Sequence, residues 1–167
     1  MFGYVTVPTQ WSKIEPKKGT YDFSVIDKCI ENVEGKKLAV CMGPLLSFEE
    51  GYLPEWLLKG NLSFEKIREA GYEFLTEMMN RYNRNVHAWI IVSGANAVSS
   101  VQLNFEQIME ITRTACLASK ASSDRSKKII EITMPWGEYY ADNRDTMPPL
   151  VYADMVIQSG MAFDSFG

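Results

Sequence analysis

Apolar and polar positions along the chain alternate between two patterns. Short apolar runs read as buried strands at Tyr4 to Val7, Lys37 to Met42 (KLAVCM), Val86 to Val92 (VHAWIIV) and Lys128 to Met134 (KIIEITM), and the start of one more is expected over Ala162 to Phe166. Between them lie stretches with helical spacing. The first is Ser24 to Val33, with Ser24 as its expected N-cap. The next starts at Ser63 and puts Ile67, Gly71, Phe74, Leu75, Met78 and Tyr82 on one face, a stripe that reads as core packing. A third is capped by Asn104 with Gln107 three residues on, a capping-box spacing, and buries Ile108, Ile111, Ala115 and Cys116 or Leu117. The last, Leu150 to Ser159, has Pro148 and Pro149 suited to its first turn and Gly160 to its C-terminal cap.

Strand and helix therefore take strict turns, which predicts a parallel sheet with crossover helices. Two α/β architectures satisfy that order: an open doubly wound sheet, or part of a (β/α)8 barrel of the TIM type. No glycine-rich phosphate fingerprint follows the first strand, which weighs against a nucleotide-binding doubly wound sheet. A whole barrel takes about 250 residues. With five strands legible in 167 residues, the barrel reading makes the chain a fragment, one incomplete barrel domain over residues 1–167. Its outer strands should then carry open edges and make the isolated chain prone to association.

Composition narrows the function classes. Hydrophobic residues make up 46% of the sequence, enough for a substantial core, and the net charge of -4 comes without a basic stripe, so no nucleic-acid partner is expected. The opening MFGYVTV is not a basic region followed by an apolar one, and no apolar run approaches the roughly 18 residues of a bilayer span. No membrane partner is expected. Cys29, Cys41 and Cys116 are odd in number and widely spaced, which suits buried thiols rather than a disulfide or zinc framework. His87, the sole histidine, comes early in its strand, where a packed or surface role is expected; no metal site and no cofactor are read.

The long segment after Met42 contains Phe48, Tyr52 and Trp56 between prolines and glycines, a composition expected of a functional loop. Together with the stretch WSKIEPKKGTYDF (Trp11 to Phe23) and the following Asp27, it resembles family 10 glycoside hydrolases, the endo-1,4-β-xylanase family. Further resemblance follows in order: LPEWL at Leu53 to Leu57, NRYNRNVHAWIIVSGANA before and after the third long strand, and GMAFDSFG at the end. The resemblance spans essentially the whole chain and implies barrel strands two to six, a carbohydrate partner such as xylan, and export from the cell. Across Pro135 to Gly167 the similarity is closer to a divergent, family-10-like group of bacterial proteins with PWGEY, PPLxYADM and QSG motifs.

The resemblance also exposes departures. Where the family carries an Asn and then the Glu that acts as general acid/base, this chain carries Ser93 and Gly94. Neither transfers a proton at neutral pH, and a retaining glycosidase needs two carboxyl groups about 5 to 5.5 Å apart. The family's sugar-holding residues after its second strand fall near Thr6, Val7 and Gln10, and its histidine after the third falls near Gly43.

Glu138, in PWGEY directly after a strand, is the surviving candidate acid/base, with Trp136 and Tyr139 or Tyr140 as stacking surfaces. Trp11, Gln10, Trp56, Ser93 and Asn96 complete the candidate substrate contacts. Glu15 and Asp27 are expected to hold the loop and the helix start, and Glu49, Glu50 and Glu55 to face solvent. Two functions remain open: a glycoside hydrolase acting on β-1,4-linked polysaccharide, or a carbohydrate-binding or scaffold barrel without hydrolysis.

Overall fold

The computed structural model describes residues 3–36, 38–60, 62–97, 100–122, 125–136 and 146–167. Its strands are β1 (Tyr4–Pro8), β2 (Ala39–Gly43), β3 (Leu46–Ser47), β4 (Ala88–Ser93), β5 (Lys127–Glu131) and β6 (Ser165–Phe166). All pair in parallel. The sheet runs β1-β2-β4-β5-β6, with β3 also against β4. Spatial order follows chain order and never reverses, which removes the doubly wound alternative, whose ligand crevice needs a reversal.

The helices are α1 (Trp11–Ile14), α2 (Ser24–Val33), α3 (Glu55–Leu58), α4 (Phe64–Tyr82), α5 (Phe105–Ser122) and α6 (Pro149–Gln158). The capping box forms as the spacing predicts: Asn104 N donates to Gln107 Oε1 at 3.0 Å, and Gln107 N donates to Asn104 Oδ1 at 2.9 Å. Ser24 is not the N-cap of α2. It is the first helical residue, Phe23 precedes it as the cap, and the Asp22 carboxylate takes up the Ser24 N–H at 3.0 Å. On α5 the buried choice is Cys116, while Leu117 is exposed.

β2 and β3 together fill one barrel-strand position. After Gly43 the chain breaks from the ladder through a cis Gly43–Pro44 bond and rejoins β4 at Leu46. Gly43 is required there: a Cβ would lie 2.5 Å from the carbonyl oxygen of Ile90. The polar "loop" of the sequence thus holds a short continuation of the strand, and further on the single turn α3.

One face of the sheet packs under the helices. Val7, Val40, Met42, Trp89, Ile91 and Ile130 meet Phe74, Leu75, Met78, Ile111, Tyr152 and Val156 in one apolar core. Each fully buried large side chain contributes about 1.5 to 3 kcal/mol by leaving water. Thr112 Oγ1 and Tyr152 OH, 2.8 Å apart in this core, tie α5 to α6. On the other, concave face lie Thr6, Cys41, Ile90, Ile129 and Glu131, partly buried or exposed. Among the described residues β1 pairs only with β2 and β6 only with β5, so both outer edges are open.

Candidate functional site at the C-terminal ends of the strands

The C-terminal end of β4 sets the centre of the candidate site. Ser93 lies in register with Ser47 of β3 and Glu131 of β5. Its hydroxyl donates to Glu131 Oε2 at 2.6 Å, and the next amide, Gly94 N, donates to the Glu131 carbonyl at 3.2 Å. Gly94 has φ +66°, a left-handed conformation that favours glycine. A Cβ there would stand 3.1 Å from Thr133 Oγ1 and 3.3 Å from Glu49 Oε1. A side chain at position 94 is therefore strained by its backbone and crowded by its neighbours.

Glu131 was not among the candidates read from the sequence. A lone Glu inside KIIEITM resembles a solvent-facing strand residue. The signal that could have found it is parity: Glu131 shares its face with Lys127 and Ile129, and it is the last residue of β5, where barrel chemistry is placed. Its charge also reaches Cys41 on the concave face, whose thiol is pushed up chiefly by burial and then by the Glu131 carboxylate.

The loop after β3 joins this centre to the end of β1. Glu49 in that loop approaches Gly94, while Gly51 O accepts Gln10 Nε2 at 2.7 Å and Ser12 Oγ at 2.7 Å. Ser12 N donates to Tyr52 O at 2.8 Å. Gln10 therefore sits on the same rim as Ser93, with its amide committed to the loop. A cavity of about 250 Å³ opens beside it, lined by Thr9, Lys13, Asp22 and Tyr52 among others.

Trp11 and Trp56 correct the expectation of free stacking surfaces. Trp11 is 3% exposed, stacks on Phe74 at 4.7 Å and donates its indole N–H to Glu15 Oε2 at 2.6 Å. It is a core residue. Trp56 is half-buried, meets Trp11 edge-on at 6.1 Å and donates to Glu15 O at 2.9 Å. Glu15, itself buried, accepts Gly19 N with its other oxygen, and its charge, after burial, helps push the Tyr21 phenol up to about 12. Asp27 is held by Arg81 and Tyr82; the Arg81 hydrogen bond is the main cause of its lowered carboxyl value. Glu15 holds the loop as expected, whereas Asp27, expected to hold the helix start, ties α2 to the end of α4.

Asn96 is fully buried, its side chain donating to Thr133 O at 3.2 Å and its backbone carbonyl accepting Met147 N at 2.8 Å. It braces the turn from within, so it is also withdrawn from direct substrate contact. Trp136 is the opposite case. Three residues beyond Thr133, it is 94% exposed. Glu138, Tyr139 and Tyr140 lie outside the described residues.

At the opposite end of the strands, two larger cavities of about 520 and 720 Å³ adjoin His87 and Arg84. His87 is exposed, and its Nδ1 accepts Val40 N at 3.1 Å. These hollows are open surface at the end of the sheet that in barrels serves stability rather than catalysis. Among the described residues no group of three or more His, Cys, Asp or Glu is placed to hold a metal ion, and no helix is long and apolar enough to cross a membrane.

The solved structures decide the architecture. Xylanase 10B from Thermotoga maritima superposes with a TM-score of 0.74 at 18% identity, over 97% of this chain and 51% of that one. An endo-1,4-beta-xylanase from Caldicellulosiruptor owensensis gives 0.75 at 18%, again over 97% and 51%. The fold is that of a partial (β/α)8 barrel. A mutant of xylanase 10C from Cellvibrio japonicus, solved with xylopentaose, matches this partial barrel with a TM-score of 0.76 at 13% identity, over 97% of this chain and 34% of that one. The partial barrel thus spans about half the length of the first two enzymes and about a third of the last.

A family model described as beta-galactosidase, of glycoside hydrolase family 42, matches residues 4–72 of the partial barrel. That is a different glycoside hydrolase family from the family 10 resemblance of the sequence, whereas the structural neighbours are xylanases. No curated protein sequence matches the chain.

Proposed function

We propose that the rim at the C-terminal ends of the strands binds a β-1,4-linked polysaccharide such as xylan, within a glycoside hydrolase-like barrel. The observation that carries this reading is Trp136: a large indole 94% exposed just past the strand end that bears Glu131. Sugar rings present apolar faces and polar edges, and an aromatic platform beside hydrogen-bonding groups meets both needs. The xylopentaose and xylobiose bound by the Cellvibrio japonicus and Thermotoga petrophila neighbours supply the substrate class. Gln10, Trp56 and Tyr139 complete the proposed contacts, Trp56 by its exposed edge, while Trp11, Ser93 and Asn96 support the rim from beneath.

In this reading Glu138 is the acid/base, protonating the leaving oxygen or activating water. Gly94 favours a second reading in which the barrel binds carbohydrate without hydrolysis, because the expected acid/base position carries no ionisable group and its backbone and neighbours disfavour a side chain. Reducing-sugar release from xylan, measured beside xylan binding, separates the two. Release abolished by Glu138→Gln supports the hydrolase, binding without release supports the scaffold, and absence of both refutes the carbohydrate reading. Trp136→Ala is expected to reduce binding at least tenfold while changing stability by no more than about 0.5 kcal/mol.

A further inference from the structure

Position 94 carries no carboxylate, yet a carboxylate stands beside it. Glu131 projects from the neighbouring strand end, opposite Ser93 in the parallel register, and its backbone carbonyl holds the Gly94 amide at 3.2 Å. Its two carboxylate oxygens are used differently. Oε2 accepts the Ser93 hydroxyl at 2.6 Å, while Oε1 accepts no hydrogen bond among the described residues. The side chain is only partly buried, so Oε1 keeps access to the rim.

Glu131 differs from the other carboxylates described at this end of the sheet. Glu15 is buried with both oxygens committed, and Glu49 is exposed on its loop. Glu131 combines an oxygen held by Ser93 with one that stays open. Ser93 is the residue that fixes it: Ser93 is 3% exposed and too enclosed to reach a ligand of any size itself. A short hydroxyl-to-carboxylate bond of this kind orients the acceptor without consuming it, and a pre-oriented charged acceptor binds a sugar hydroxyl with little further loss of side-chain entropy.

We infer that Glu131 is the substrate-contacting carboxylate of this rim, its Oε1 accepting a sugar hydroxyl above Gly94, and that Ser93 is its positioning residue. This rests on the carbohydrate reading above and deepens it: the carboxylate that position 94 lacks is supplied from the next strand.

The test is calorimetric titration of the full chain with xylopentaose. Glu131→Gln is expected to weaken binding by about tenfold or more, the range lost with a hydrogen bond to a charged group. Glu131→Asp keeps the charge but withdraws it by one methylene, and should weaken binding as well; it gives a second reading of the same atom should the Gln variant fold poorly. Ser93→Ala should weaken binding severalfold, and Ser93→Thr, which keeps the hydroxyl, should restore it. Glu69→Gln, exposed on α4, serves as the unchanged control. Wild-type binding with Glu131→Gln and Glu131→Asp both within twofold of it overturns this inference and leaves the carbohydrate reading standing. No binding of xylopentaose by the wild type overturns the carbohydrate reading, and the inference with it.

Discussion

The loop after β1 and the turn after β4 stand at the same end of one sheet, and their polar groups are used in opposite ways. In the first, Glu15 spends one oxygen on the Trp11 indole and the other on Gly19 N, and Trp56 closes over the pair. In the second, Glu131 is gripped by Ser93 through one oxygen only, and Trp136 stands in solvent nearby. The most recognisable motif of the sequence is thus a packing device. The chemistry is better sought where the sequence departs from the family it resembles, because a site that must receive a ligand keeps groups uncommitted that a structural motif would satisfy internally.

Substitutions can break this contrast, and the largest effect is expected in the closed loop. Trp11→Ala removes a buried ring stacked on Phe74 and orphans a Glu15 oxygen, which should cost about 3 to 5 kcal/mol, read from urea unfolding. A loss under about 1 kcal/mol would mean that the loop is not the packed element described. Gly94→Ala comes next, at about 1 to 3 kcal/mol, because a side chain must adopt a positive φ against Thr133 and Glu49. If that variant were as stable as the wild type, position 94 would accept a side chain without strain, against its positive φ and close neighbours.

The smallest effect is electrostatic. Asp27 has its carboxyl value lowered by the Arg81 hydrogen bond first and by Tyr82 as well. A folded value below the unfolded one stabilises the native state above the ordinary carboxylate range near 3.9, and that contribution disappears as pH falls through the folded value. Asp27→Asn should therefore lower the unfolding midpoint at neutral pH, and the gap from wild type should shrink as pH falls below the ordinary carboxylate range. A gap that widened on acidification would reverse the assigned sign.

Much of the fold is legible in the hydrophobic pattern, because a parallel sheet under helices imposes long apolar strands and amphipathic helices on the sequence. The Asn104–Gln107 capping box and the Gly160 cap carry their geometry in local residue types. The break between β2 and β3 was hidden, since it depends on the Gly43 backbone meeting Ile90 of a strand distant in sequence. Ser24 misled for a related reason: Asp22, two residues earlier, reaches the same helix end. Within the site, Ser93 and Gly94 were found as departures from a pattern. Trp11 and Asn96 were misplaced because exposure is set by neighbours such as Phe74 and Thr133, which no local spacing reveals. Glu131 escaped notice because its role arises only when β5 lies beside β4 in register.

The most direct measurement is amide and indole chemical-shift mapping of the chain as xylopentaose is added. The account expects shifts to cluster at Ser93, Gly94, Glu131, Thr133 and the Trp136 indole, with the buried Trp11 indole moving little. Shifts centred instead on Arg84 and His87, at the opposite end of the strands, would contradict it.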